Sequence, residues 1–172
     1  MSYYFDVIYQ IRKELCMREL LYTVERSYPV SIDRLWAAWV EPKALEVWYC
    51  PTDLSVEKDS VQNEAVDGGI WTVGVSVPQA NMVAYFFGIY TQVKEHELLE
   101  HTMTYTQSFE EFEKRVPSPV EHLVSIEFKE VDGGSWVSFT QFGELPEGRA
   151  PQAKAGMESY FDNLRKYFET GN

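Results

Sequence analysis

The chain has 172 residues, of which 45% are hydrophobic and 15% aromatic, a composition that suits one globular domain with a full apolar core. Its 27 acidic side chains outnumber the 15 basic ones, and the net charge of −12 disfavours binding to nucleic acids and to anionic membrane surfaces. No apolar run approaches the ~20 residues of a bilayer-spanning helix. Two cysteines, Cys16 and Cys50, are too few for a disulfide framework, so we expect a cytoplasmic protein with reduced thiols.

The first eighteen residues have a pattern of their own. Four apolar side chains lie three or four residues apart: Tyr4, Ile8, Ile11 and Leu15. This spacing predicts an amphipathic helix, and the charged residues within it argue against a signal peptide. We expect residues 1–18 to be an accessory helix or extension and residues 19–170 to form one domain. A dimer contact and a segment without a role are the alternatives for residues 1–18.

A strand predicted over 19–28 is followed directly by two short helices. Ser31 can cap the first helix, because its hydroxyl accepts a hydrogen bond from a free backbone N–H. Pro42 suits the first turn of the second helix, where no N–H is needed. Three tryptophans fall within thirteen residues: Trp36, Trp39 and Trp48. This aromatic surface must pack on a large apolar surface, and we expect only Trp48 to reach the rim of a site.

The rest of the chain predicts a meander of strands and a terminal helix. The strands are expected at 52–58, 63–67, 70–77, 83–95, 98–106, 121–130 and 135–143. The segments 68–69 and 132–134 suit hairpin turns, and the charged segment 108–119 is predicted to be a loop because it ends in two prolines. Apolar side chains at helical spacing over about 152–168 predict a long amphipathic helix. Consecutive antiparallel strands with segregated helices indicate an α+β fold with a strongly curled sheet.

Several groups of residues carry a resemblance to a known family through their order and spacing. They are 29–31 with 35–36, 41–45 with Trp48, 68–71, Gly88, 98–99, 136–143, and 156–158 with Leu164. The chain resembles the group of START-like (SRPBCC) proteins named after the activator of the ATPase of the 90-kDa heat-shock protein. The resemblance implies the helix-grip (START/Bet v-like) fold, in which a curved antiparallel sheet grips a long C-terminal helix around a cavity.

Family membership of this kind does not imply one activity, since relatives bind apolar ligands, cyclise polyketides or stimulate a chaperone. One departure from the family bears on the cavity. Where the family usually has a tryptophan after the glycine of the last helix, this chain has Met157, which is smaller and more adaptable. We therefore expect a wider cavity at this point.

Four polar residues share their strand faces with apolar residues. They are His101, Tyr105, His122 and Gln141. If the apolar sets face the cavity, these side chains do too, since residues two apart point to one side of a strand. Burying such a group without a partner costs about 1–3 kcal/mol, so each needs a hydrogen bond from the protein, from water or from a ligand.

The predicted site also includes Trp48, aromatic residues that alternate along their strands, and two residues of the last helix. The candidate ligand-binding residues are Trp48, Trp71, Tyr85, Phe87, His101, Tyr105, His122, Gln141, Met157 and Phe161. These aromatic side chains line a cavity or fill it. The nearest approach to a metal site is His96 and Glu97 with Glu100 and His101, but strand alternation separates these side chains, and we predict neither a metal nor a cofactor.

The leading hypothesis is a protein that carries a small hydrophobic ligand between the terminal helix and the sheet, as a monomer or homodimer. A chaperone-associated protein-interaction module is the first alternative. The second is a polyketide-cyclase- or hydrolase-like enzyme that uses His122 or His101 as an acid or base. The candidate set contains neither a nucleophile nor a carboxylate to orient the histidine, which favours binding over catalysis.

Overall fold

The computed structural model describes residues 19–116 and 121–171 of the chain. The helix or extension predicted for residues 1–18 lies outside this part. The described helices are α1 (Ile32–Val40), α2 (Pro42–Trp48), α3 (Phe109–Lys114) and α4 (Arg149–Glu169), with a short 3-10 turn at Pro78–Ala80. The strands are β1 (Leu20–Tyr28), β2 (Ser55–Val56), β3 (Gln62–Asn63), β4 (Ile70–Val77), β5 (Met82–Lys94), β6 (Leu98–Thr106), β7 (His122–Val131) and β8 (Gly134–Phe142).

The strands form one antiparallel sheet in the order β1-β8-β7-β6-β5-β4-β2, and β3 also pairs with β4. The sheet curls around α4, while α1 packs on β7 and β8 and α2 packs on α4. This architecture confirms the predicted α+β helix-grip fold. Within the described residues, no helix is both long enough and apolar enough to cross a bilayer.

The two short helices begin where the sequence predicts. The Ser31 hydroxyl accepts a hydrogen bond from the backbone N–H of Arg34 at 3.2 Å, and Pro42 occupies the first turn of α2. The rings of Trp36 and Phe128 pack edge to face with their centroids 5.1 Å apart. Trp39 is buried among aromatic rings, so the expectation that Trp36 and Trp39 are packed structure is confirmed.

The terminal helix is attached to the sheet mainly through its second half. Its buried side chains are Met157, Phe161, Leu164 and Phe168, and no side chain of α4 before Met157 is buried. Arg26 on β1 contacts Glu158 at 2.7 Å and Asp162 at 2.5 Å. The Tyr28 hydroxyl donates to the Phe161 carbonyl at 2.8 Å. These contacts hold the second half of α4 against β1.

Three of the predicted elements differ from the structure. The segment 108–119 contains the helix α3, because Ser108 caps it by accepting from the Glu111 backbone N–H at 3.3 Å. The predicted strands at 52–58 and 63–67 shrink to β2 and β3. Between them the Ser60 hydroxyl donates to the Glu57 carbonyl at 2.6 Å and accepts from the backbone N–H of Gly74 at 2.9 Å, which holds a turn.

Candidate functional site

The site is a cavity of about 440 Å³ between the first half of α4 and the concave face of the sheet. Apolar and aromatic side chains from four strands make up most of its wall: Trp71, Phe86, Met103 and Phe139. Tyr105 and Glu144 also line it and are exposed to solvent, so they mark its mouth. Protein interiors rarely leave voids larger than a water molecule. A void of this size therefore needs a functional explanation.

The helical wall of the cavity is a stripe of residues on α4. Ala153, Gly156, Met157 and Tyr160 are three or four residues apart and therefore share one face of the helix. A Cβ built on Gly156 would meet no heavy atom within 4 Å. The absence of a side chain at Gly156 thus leaves space that a larger residue would fill.

A chain of hydrogen bonds runs along another wall. The Tyr22 hydroxyl donates to Gln141 Oε1 at 2.5 Å, Gln141 Nε2 lies 2.5 Å from His122 Nδ1, and His122 Nε2 lies 3.0 Å from the carbonyl oxygen of Glu144. Because a carbonyl only accepts, His122 carries its proton on Nε2, and its Nδ1 accepts from the Gln141 amide. A Cβ at Gly143 would lie 2.4 Å from the imidazole ring, so this glycine makes room for it.

Trp71 is held in the wall by a close approach between β5 and β6. Its indole N–H donates to the Thr102 carbonyl at 2.9 Å. Gly88 lies opposite Trp71 in the β4–β5 register, and a Cβ at Gly88 would lie 2.0 Å from the same carbonyl oxygen. Only glycine at this position lets the Thr102 carbonyl reach the indole.

His101 lies behind Trp71, beside a second cavity of about 20 Å³ that offers room for about one water molecule. The centroids of the two rings are 4.3 Å apart, and His101 Nδ1 lies 3.0 Å from the Thr102 carbonyl oxygen. Burial lowers the pKa of His101 to about 4, although the hydrogen bond to Thr102 opposes this shift. The imidazole is therefore neutral at pH 7 and supports the wall from behind.

Three tyrosines place phenol groups at the cavity: Tyr22 and Tyr49 are buried and Tyr160 is half-buried. Tyr22 comes from β1, Tyr49 directly follows α2, and Tyr160 comes from α4. The rings of Tyr49 and Tyr160 pack edge to face with centroids 5.2 Å apart. Burial raises the pKa of all three phenols, so they stay protonated at neutral pH.

The structure brings half of the ten predicted site residues to the cavity. Those that line it are Trp71, Tyr105, His122, Gln141 and Met157. They come from three neighbouring strands, from β4 across the sheet and from α4 opposite. Strand and helix phase therefore located part of the wall correctly, and their role toward a ligand stays a prediction.

The other five predicted residues lie away from the main cavity. The expected position of Trp48 at the rim is wrong: its side chain is 0% exposed and its indole N–H donates to the Ala38 carbonyl at 2.7 Å, so that the neighbouring Tyr49 lines the cavity instead. Phe161 is packed in the core against Trp39, with ring centroids 6.0 Å apart. His101 lies behind the wall, as described above.

The remaining two, Tyr85 and Phe87, lie on the opposite face of the sheet. Both pack against Phe112 of α3, with ring centroids 4.4 and 6.1 Å away. The concave face of β5 carries the even-numbered Phe86 at this point. Alternation had grouped Tyr85 and Phe87 with Trp71, but the register pairs Trp71 with Gly88, so these two side chains point away from it.

Sequence reasoning missed several lining residues for different reasons. Tyr160 follows Met157 by three residues on a helix, a spacing that identifies it as a neighbour. Phe86 needed only the opposite choice of strand phase. No comparable pattern marks Glu144 and Leu145, which follow β8 in a segment without regular structure.

The predicted absence of a metal site rested on the separation of four residues. His96 lies 3.3 Å from Asp33, whereas His101 is buried behind Trp71. Among the residues that the structure describes, no group of three or more His, Cys, Asp and Glu side chains is arranged to hold a metal ion.

Residues 29–169 match the model of the family described as Activator of Hsp90 ATPase homolog 1-like protein. The chain belongs to this family. The resemblance inferred from the sequence motifs is thereby confirmed, and we refer below to the activator-homolog family. No curated protein matches the sequence at a significant level.

Solved structures share the fold at low sequence identity. A protein of the activator-homolog family from Silicibacter pomeroyi has a TM-score of 0.74 and 16% identity, over 88% of this chain and 99% of that one. A protein from Chromobacterium violaceum has a TM-score of 0.71 and 16% identity, over 84% and 94%. A protein in the dynemicin biosynthetic locus has a TM-score of 0.65 and 16% identity, over 87% of this chain and 47% of that one. These similarities show the fold and leave the function to the site.

Proposed function

We propose that this member of the activator-homolog family binds a small, uncharged, hydrophobic molecule between α4 and the sheet. The observation that carries this proposal is the cavity of about 440 Å³ with a mainly aromatic wall. Pockets for drug-sized ligands have volumes of about 300–1,000 Å³ and combine an apolar lining with a few polar groups. The hydroxyl, amide and imidazole groups on this wall fit that description.

Charge supports an uncharged ligand. Among the described lining residues, Glu144 at the mouth is the single acidic residue and none is a lysine or arginine, and the whole chain has a net charge of −12. An anionic ligand would approach a negative potential and meet no buried cation. A cation would have to leave water for an aromatic wall, with one carboxylate near the entrance.

Binding has more support than catalysis. Both ring nitrogens of His122 are engaged within the protein, by Gln141 and by the Glu144 carbonyl, and His101 is shielded by Trp71. The described lining residues include no serine, threonine, cysteine or lysine to serve as a nucleophile. The interaction-module hypothesis has the name of the family in its favour, whereas the cavity is a direct observation on this chain.

A matched pair of fluorescent probes tests the proposal. N-phenyl-1-naphthylamine is neutral, and 8-anilino-1-naphthalenesulfonate has the same ring frame with an added negative charge. We expect the neutral probe to bind the full-length protein at one site with a Kd of about 1–10 μM, and the sulfonate to bind at least ~10-fold more weakly because nothing compensates its charge. Fluorescence titration measures both constants.

Two results would count against the proposal. One is the absence of saturable binding of the neutral probe to protein whose fold is verified by circular dichroism. The other is tighter binding of the sulfonate, which would indicate an anion site elsewhere on the protein.

A further inference from the structure

Two phenol groups at the cavity have no hydrogen-bond partner within the part of the chain that the structure describes. The Tyr22 hydroxyl donates to Gln141, but the hydroxyls of Tyr49 and Tyr160 have no hydrogen-bond partner among the described residues. Tyr49 is only 9% exposed, so bulk water does not solvate its hydroxyl freely. Neither hydroxyl is among the fully buried side-chain atoms that lack a partner, so both are accessible from the cavity that they line. A molecule inside the cavity can therefore supply their hydrogen-bond partner.

The protonation state of these two phenols favours a hydrogen-bond acceptor as their partner. Because burial disfavours the phenolate, both groups keep their proton and remain donors at neutral pH. A phenol donates well to an oxygen acceptor. Tyr49 and Tyr160 lie against each other, so their hydroxyls belong to one region of the wall.

We propose that the bound molecule carries a neutral acceptor oxygen, such as that of a ketone, ester or ether, which receives hydrogen bonds from Tyr49 and Tyr160. This inference rests on the proposed function and deepens it. The aromatic wall binds the hydrocarbon part of the ligand, and the two hydroxyls fix its orientation.

Fluorene and 9-fluorenone test this inference, because they share a flat three-ring frame and differ by one carbonyl oxygen. The measurement is the ratio of their dissociation constants, obtained by quenching of the intrinsic fluorescence of the full chain. We expect the preference for 9-fluorenone to fall five- to tenfold in Tyr49→Phe and in Tyr160→Phe, the worth of about one hydrogen bond. Tyr167→Phe, on the same helix but outside the cavity, should keep the wild-type ratio.

The results distinguish failure of the acceptor inference from failure of the proposed function. If both probes bind and the ratio is unchanged in both tyrosine variants, the acceptor inference is overturned and the proposed function stands. If neither probe binds the folded wild-type protein, both are overturned.

Discussion

Replacement of Gly156 by leucine is expected to abolish binding of the neutral probe while making the fold more stable. Gly156 lines the cavity, and a Cβ there meets no heavy atom within 4 Å, so the leucine side chain enters space that the ligand needs. Overlap of this kind costs about 3 kcal/mol, which corresponds to a roughly 100-fold rise in Kd. Removing a glycine from a helix interior contributes about 1 kcal/mol to the free energy of unfolding.

Gly156→Ala is the matched control for this experiment. It brings a similar gain in helix propensity but adds one methyl group, so we expect higher stability with binding retained within about threefold. Fluorescence titration with N-phenyl-1-naphthylamine and urea unfolding, done on the same samples, separate binding from stability. Retained binding in a stable Gly156→Leu protein would contradict a ligand site between α4 and the sheet.

Gly88→Ala should cause a large loss of stability. The added Cβ would lie 2.0 Å from the Thr102 carbonyl oxygen and 2.7 Å from its carbon, both of them backbone atoms. Relief requires β5 and β6 to separate, which also breaks the hydrogen bond from the Trp71 indole. We expect the free energy of unfolding to fall by about 4 kcal/mol and Tm by about 10 °C.

Gly133→Ala provides the comparison for Gly88→Ala. Gly133 has a φ of +79° in the β7–β8 turn, and a Cβ there meets no heavy atom within 4 Å. Its cost is therefore conformational strain alone, about 1 kcal/mol. Thermal and urea unfolding measure both variants. Equal losses in the two proteins would mean that the close approach between β5 and β6 is not a steric requirement.

The fold was predictable because its signals are local. Ser31 and Pro42 mark the starts of α1 and α2, and a stripe of apolar residues marks α4. The helix α3 was missed although Ser108 and Glu111 have capping-box spacing, because the prolines that follow drew the segment into a loop assignment.

The site was harder to predict because strand alternation groups residues without saying which group points inward. For β5 the answer depends on the pairing of Trp71 with Gly88, a relation between strands that no single segment contains. Trp48 and Tyr49 pose the same problem at the end of a helix. Which of them reaches the cavity depends on where α2 ends and on how it packs against α4.

The uneven attachment of α4 has a consequence for exchange of a ligand with solvent. From Met157 onward, α4 is part of the core and contacts β1 through Arg26 and Tyr28. The part of α4 before Met157 also lines the cavity but has no buried side chain. Local opening needs the least free energy where few buried contacts are lost. We therefore expect the part of α4 before Met157 to unfold locally more often than the part that contacts β1, which gives a ligand a route to solvent without global unfolding.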